Sequence, residues 1–508
     1  MSHPVSHAVS HAVSHCAEMG AEMPRAIRGR LVSRVVLVCA VWAVACGDDD
    51  ATVDAGGRDA GFDARVEDAS ADSSADSSVT DSSVEDAGVE DAGVEDVGVM
   101  DAGNPDRYDE VLATLRGESD PAALDALLVD VGRREGWPLV SGDRWLFATR
   151  WAATGVAWVG DPNAWDPSAN VAETAPSGVH HFAEVRIATP PRGAKYKWWS
   201  ASVFRAPPES TVYGEDEFGE HGYVAPPTDR AFFERFPGFV AEGVRERWIR
   251  ARVPADFAWG VGRGSFAERA VRTLVLHDGQ NVFLSGGPFG SWRVDATLDA
   301  SFDDVLAVAV DNGPDRFETY TPVPDDIGSG AVGGGADAYL ALLEEEVLPF
   351  VRARYDVRAS GDSLAIAGSS LGGLVSLYAA YARPELARCV AGLSSTLGWG
   401  AFERDGSGTL VRRWSTHGAT SLYLDSGGGL DGGACGDSDA DGVFEDSDDR
   451  DNYCVTVQLR DRLVSLGYEL GADLHYHHAP GAPHAEAAWA ARVSRFLDAC
   501  AMGGWRAE

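Results

Sequence analysis

The sequence predicts an α/β protein: a mostly parallel β-sheet with helices on both faces, preceded by a small all-β sandwich. Three observations predict it. From Gly243 onward, short apolar runs rich in β-branched residues alternate with helical patterns. From Trp137 to about Pro227 the runs are short and aromatic, and Gly, Pro, Asn and Asp separate them. At Gly368 an apolar run enters a Gly-Ser-Ser-Leu-Gly turn that opens a helix.

With 508 residues, 45% of them hydrophobic, the chain can bury two or three cores, which excludes a disordered protein overall. The formal charge is -37, and roughly two-thirds of it sits in two segments, Asp48 to Asp101 and Asp431 to Asp451. No basic patch exists, which argues against nucleic acid as a partner. Residues 1–46 read as a leader whose true start is Met23. Arg25, Arg28, Arg30 and Arg34 precede the apolar run Val35 to Ala45, which at about eleven residues is too short to span a bilayer. The upstream Ser-His repeats reflect a misassigned start rather than a metal site. The run ends in Ala43-Val44-Ala45-Cys46-Gly47, which resembles a bacterial lipobox with Ala43 where Leu is preferred. The resemblance implies lipidation of Cys46 and an exported lipoprotein, membrane-anchored on the periplasmic or cell-surface side, with ordinary secretion as the alternative.

Residues 47–105 form an acidic linker with near-repeats of Val-Glu-Asp-Ala-Gly from Val84 to Gly98; they hold too few large apolar residues to offset ordering entropy. A helical segment follows at 106–136, on the spacing of Val111, Leu112, Leu115 and of Leu124, Leu127, Leu128, Val131. The sandwich occupies 137–230, with strands at Trp145 to Thr149, Gly155 to Val159, His181 to Ile187 and Lys195 to Trp199. Its Trp residues fill the core in one reading and stack on sugars in the other. The catalytic domain spans 240–504. Its strands are Arg247 to Val253, Thr273 to Leu276, Val305 to Val310, Ser363 to Ala367, Cys389 to Leu393, Ser421 to Leu424 and Leu474 to His478; helices include Ala336 to Arg354 and Gly372 to Ala382.

A bare GxSxG is weak evidence in a Gly-rich chain, so context decides. The strand Leu364-Ala365-Ile366-Ala367 runs into the motif and a good helix runs out of it, as a nucleophile elbow requires. Ser370 would attack a carbonyl while the Leu371 amide meets the developing oxyanion. A serine needs a base. His484, in the turn Gly481 to Glu486 after the last strand and before a helix, is that base, whereas alternation on a strand accounts for His475, His477 and His478.

Leu276 to Phe283 (LHDGQNVF), the Asp311-Asn312-Gly313 turn with Arg316 and Tyr320, the elbow, and Pro480 to Trp489 (PGAPHAEAAW) together resemble the putative esterase family that contains enterochelin and feruloyl esterases, on an α/β-hydrolase fold. Gly160 to Trp165, Tyr196 to Trp199 and Asp216 to Gly219 resemble the immunoglobulin-like module preceding the catalytic domain in enterochelin esterases. The resemblance implies a second oxyanion donor at the amide of Gly279 or Gln280, with Asp278 bracing the loop. It also implies an acid just after the strand Leu422 to Leu424. Asp431 is the first choice, Asp451 the second and Asp425 a distant third.

An insertion over 431–451 follows that strand. Asp437, Asp439, Asp441, Glu445 and Asp448, with Gly442 at the bend, match an EF-hand-like loop and predict a structural calcium site; a solvated acidic loop is the alternative. Once Cys16 and Cys39 leave and Cys46 is lipidated, Cys389, Cys435, Cys454 and Cys500 allow three pairings, of which Cys435 with Cys454, closing the insertion, is preferred. The expectation is a serine carboxylic-ester hydrolase with no catalytic cofactor, acting on a small ester or an acylated polysaccharide. The alternatives are a surface glycan-binding protein with a vestigial hydrolase domain, or an acyltransferase on the same fold.

Overall fold

The computed structural model describes residues 105–507, apart from residues 228, 261–263, 267–269, 288, 327–329, 402–406, 430–434, 438–439 and 445–449. The leader with Cys46, the acidic linker, the acid candidate Asp431 and the calcium-loop candidates Asp439, Glu445 and Asp448 lie outside the described residues.

Two helices come first, α1 (Pro105–Gly117) and α2 (Pro121–Arg134). The Asp120 side chain caps α2 by accepting from the Ala122 amide, and Pro121 fits the first turn, where no backbone donor is needed. Val111, Leu115, Leu124, Leu128 and Val131, residues with the expected helical spacing, are buried against Leu146 and Phe182.

Nine short strands follow: β1 (Leu139–Ser141), β2 (Arg144–Arg150), β3 (Ala157–Gly160), β4 (Glu173–Thr174), β5 (His180–Arg186), β6 (Lys195–Ser200), β7 (Val203–Arg205), β8 (Val212–Asp216) and β9 (Gly219–Tyr223). An antiparallel sheet β1-β2-β5-β4 is buried on both faces. Alternation along β2 and β5 sends Leu146, Ala148 and Phe182 toward the helices. Trp145, Phe147, Ala183 and Val185 instead join Trp158, Tyr196 and Trp198 of the second layer. Trp158 and Trp198 thus fill the core, as in the first of the two readings of the tryptophans.

The second layer does not stop near residue 230. β8 pairs with β10 (Phe232–Ala241), β10 forms a hairpin with β11 (Val244–Val253), and β11 lies antiparallel to a central strand of the catalytic sheet. The sequence places Arg247 to Val253 in the catalytic sheet, which is correct, but the two predicted modules share one continuous sheet.

The catalytic strands are β12 (Arg272–His277), β13 (Val305–Val310), β14 (Gly361–Ser369), β15 (Ala387–Leu393), β16 (Ser421–Ser426) and β17 (Leu474–His478). They are mutually parallel, and the whole sheet runs β17-β16-β15-β14-β12-β13-β11-β10-β8-β9-β6-β3. Both faces of the central strands are covered, so β13 is apolar throughout and the middles of β12, β14 and β15 are apolar. Leu364, Ile366, Val390 and Leu422 point to one core, shared with α4 (Ala336–Leu342), α5 (Leu348–Tyr355) and α6 (Leu371–Ala382). Ala365, Ala367, Ala391 and Tyr423 point to the other, shared with α3 (Val294–Ser301) and, at the C-terminus, with Trp489, Phe496 and Leu497. The predicted helix at Ala336 to Arg354 carries a π turn at Leu343–Val347, directly ahead of Pro349, whose ring removes a helical donor.

The insertion leads into α7 (Tyr453–Ser465), and α8 (Glu486–Ala490) and α9 (Val493–Met502) close the domain. Among the described residues there are two disulfides, Cys435–Cys454, the preferred pair, and Cys389–Cys500, which ties β15 to α9. Structural disulfides persist in oxidising compartments, so the chain is an exported protein. No described helix is long and apolar enough to cross a membrane. Because β12 and β14 to β17 are parallel, their following loops gather at one edge of the sheet.

Candidate active site

Ser370 stands between β14 and α6 at φ 57°, ψ −125°, a strained conformation for a residue with a side chain. Neighbouring backbone over-determines it: the Ser370 amide donates to Leu393 O at 3.0 Å, and the Thr396 amide donates to Ser370 O at 3.1 Å. Gly368 admits no side chain, and Gly372 is closely enclosed. A Cβ on Gly368 would lie 2.3 Å from Gly372 O, and one on Gly372 would lie 3.0 Å from Asp278 Oδ2. The Ser370 hydroxyl lies 3.4 Å from Thr396 Oγ1.

Leu371 is the first residue of α6, so its amide has no intrahelical acceptor. Gly279 and Gln280 open a 3-10 turn, Gly279–Asn281, and their amides are free of the turn's own hydrogen bonds for the same reason. The close approach of Gly372 to Asp278 and His277 brings the start of α6 against the end of β12. Asp278, left-handed at φ 57°, braces this loop: Arg316 grips it with Nε at 2.7 Å and Nη2 at 2.8 Å, and Asn312 Nδ2 donates to Oδ1. Burial pushes the Asp278 carboxyl up, but Arg316 and Asn312 outweigh it and hold the group below its usual range. His277, fully buried with Nδ1 2.9 Å from Tyr339 OH, is pushed down to about 4 by burial and stays neutral.

His484 sits in the turn ahead of α8, its ring 4.9 Å from that of Trp489. Its Nδ1 is 2.7 Å from Asp451 Oδ1. Asp451 is fully buried, and its Oδ2 accepts from the Gly427 amide and, at 2.6 Å, from the Ser394 hydroxyl. The carboxylate at the histidine is therefore the second sequence choice. Asp431, the first choice, lies outside the described residues. Asp425 is instead bonded to Tyr423 OH and Arg492 Nε. Asp451 reaches His484 because Asp451 and Asn452 are both left-handed, at φ 60° and 59°, which turns the chain at the end of the insertion back toward the sheet edge.

Residues 262–494 match the family model described as Putative esterase. The match supports an esterase, and with it a hydrolase, for this segment; it begins after the sandwich. Solved structures similar to this chain include a ferric enterobactin esterase from Salmonella typhimurium, at 14% identity over 70% of this chain and 93% of that one, with a TM-score of 0.36. A siderophore hydrolase from Aspergillus nidulans shares 21% identity over 55% and 97%, with a TM-score of 0.37. An enterochelin esterase from Shigella flexneri shares 14% over 75% and 97%, with a TM-score of 0.35. Comparison with curated proteins gave no match.

The described part of the predicted calcium loop turns its carboxylates onto its own backbone. Asp437 Oδ1 accepts from the Asp441 amide at 3.0 Å, Asp437 Oδ2 from the Gly442 amide at 2.9 Å, and Asp441 Oδ1 from the Val443 amide at 2.9 Å. Among the described residues no group of three or more His, Cys, Asp or Glu could hold a metal. Sequence reasoning missed Thr396, Ser394 and Arg492. Each acquires its position only through tertiary contacts, and no local pattern marks them.

Proposed function

We propose that this protein is a serine carboxylic-ester hydrolase in which Ser370 is the nucleophile, His484 the general base and Asp451 the acid that orients it. The observation that carries the reading is an Asp-paired histidine at the same sheet edge as a serine held in left-handed backbone between strand and helix. His484 Nδ1 donates to Asp451, which leaves Nε2 as the lone-pair nitrogen. Nε2 takes the Ser370 proton as Oγ attacks the ester carbonyl, and the oxyanion is met by the amide of Leu371 and that of Gly279 or Gln280. Collapse expels the alcohol, protonated by His484. Water, deprotonated by the same nitrogen, then releases the acid from Ser370. No cofactor enters these steps. Although the Ser370 hydroxyl rests against Thr396, catalytic hydrogen bonds commonly tighten only with substrate bound.

Small esters, catecholate siderophores and acylated polysaccharides are the substrate classes to screen, and lipidation of Cys46 would hold the enzyme at the membrane. The test is p-nitrophenyl acetate hydrolysis by the full chain against Ser370→Ala, with mass-spectrometric mapping of a serine-reactive phosphonate. Turnover lost in the variant and an adduct on Ser370 support the reading. An unlabelled Ser370 in folded, inactive protein overturns it and returns the chain to a surface binding role.

A further inference from the structure

Behind the His484–Asp451 pair lies a buried polar cluster that the proposed chemistry does not use. Ser394, which follows β15, is fully buried in left-handed backbone at φ 47°. Its Oγ is 3.0 Å from Trp489 Nε1, 2.9 Å from Arg492 Nη2 and 2.6 Å from Asp451 Oδ2. An indole N–H and a guanidinium can only donate. They occupy the lone pairs of the hydroxyl, and its one proton is left to Asp451. The Gly427 amide donates to the same carboxylate oxygen, so Oδ1 is turned toward His484.

Arg492 serves two buried carboxylates at once. Its Nε is 3.0 Å from Asp425 Oδ2, and its Nη2 is 3.6 Å from Asp451 Oδ2. Burial pushes Asp425 up to about 6, against the pull of Arg492. The other titratable groups facing the cluster are Tyr423 of β16, His477 of β17 and Arg495 of α9, while Glu486 of α8 faces His484 and the Asp278 loop. Tyr423 OH bonds Asp425, burial holds His477 below its usual range with Arg495 adding to the effect, and burial raises Glu486.

We propose that Ser394 and Arg492 are positioning residues that clamp Asp451 as an oriented carboxylate against His484, with Asp425 holding Arg492 in place. The inference rests on the roles assigned above to Asp451 and His484. Without the clamp Asp451 can rotate, Nδ1 loses its fixed acceptor, and the tautomer that leaves Nε2 free is no longer enforced. Ser394 and Arg492 therefore act on turnover and on the basicity of the ring, not on substrate binding.

The test measures kcat and KM of the full chain from pH 5 to 9 on p-nitrophenyl acetate. Ser394→Ala is expected to lower kcat on the order of 10-fold with KM within about 2-fold, since a carboxylate loses a buried hydroxyl donor. That carboxylate becomes a stronger acceptor and favours protonated His484, so the acidic limb of kcat/KM moves to higher pH. Arg492→Gln removes a cation and moves the limb the same way; Arg492→Lys keeps the charge and restores the limb. Because Arg492→Gln leaves Asp425 buried without its cation and can fail to fold, Asp425→Asn/Arg492→Gln removes both charges together. Unchanged kcat and an unmoved limb in Ser394→Ala and in the double variant, with Ser370→Ala inactive, would overturn the clamp alone. A loss of kcat that only follows a lower melting temperature, with the limb unmoved, overturns it too. Turnover surviving in Ser370→Ala would instead remove the hydrolase assignment beneath it.

Discussion

Asp451→Asn should abolish most turnover while leaving the fold intact. Asp451 Oδ2 receives two donors, the Gly427 amide and the Ser394 hydroxyl, and Trp489 and Arg492 fix the direction of that hydroxyl. A carboxamide in this slot must place its oxygen there and its NH2 toward His484 Nδ1, which is 2.7 Å away from Oδ1. Nδ1 then becomes the acceptor, the ring proton moves to Nε2, and Nε2 cannot take the Ser370 proton. An inverted tautomer of this kind lowers kcat on the order of 10⁴-fold, about 5 kcal/mol of transition-state stabilisation. The assay is steady-state hydrolysis of p-nitrophenyl acetate at pH 8 by the full chain, with Asp431→Asn measured alongside and thermal melting as the fold control. Asp431→Asn should stay within about 2-fold of the parent, a shift too small to signal loss of a transition-state contact. The reasoning fails if Asp451→Asn stays within 10-fold of the parent, or if Asp431→Asn proves the costlier change.

Other outcomes follow from the same structure. His277 is buried with its pKa lowered to about 4, so an unfolded chain binds a proton there that the folded one refuses. Stability from this site is complete above pH 6.5 and is lost as pH falls toward 4, on the order of 3 kcal/mol in all. Melting midpoints of His277→Phe should therefore drop less between pH 7 and 5 than those of the parent, and equal drops would refute it. Removing Cys389–Cys500, a separation of 111 residues, should cost about 4 to 5 kcal/mol in denaturant titrations and spare kcat. Removing Cys435–Cys454, a separation of 19, should cost about 3 kcal/mol and lower kcat as well, because Cys454 lies three residues after Asp451; the reverse pattern of kcat effects would refute this. If the loop from Asp437 to Asp448 binds calcium, adding calcium to chelator-treated protein should raise the melting temperature, while magnesium should not. Equal melting curves would reject the site.

The strands and the elbow were legible because their causes are local. Leu364 to Ala367 is apolar on both faces, and Gly368 of the elbow leaves no room for a side chain. His484 was legible for a similar reason, lying between the last strand and a helix. Asp451 was legible only as the second choice, since an acidic insertion offers many carboxylates of equal appearance. What singles it out is donation from Gly427 and Ser394, residues 24 and 57 positions away. Arg492 carried no signal in the sequence, yet it is buried between two carboxylates. The joined sheet was hidden too, because β11 was read as a strand but β10 was not, and a strand's choice of partner is long-range.

That joined sheet changes what counts as a separable part. Phe236 and Phe239 of β10 pack on Phe350 of α5, and Glu234 of the same strand is held by Arg354 and Tyr355. By its contacts β10 is catalytic-domain material, yet its far edge is paired by β8 of the sandwich. Severing the chain between β9 and β10 would bare that edge as a template for another strand, inviting self-association rather than releasing a free enzyme. In recombination between relatives, the front module cannot be exchanged like a bead on a string. A viable crossover must supply a new neighbour for β10 at the same stroke, which ties the inheritance of the sandwich to that of the catalytic sheet.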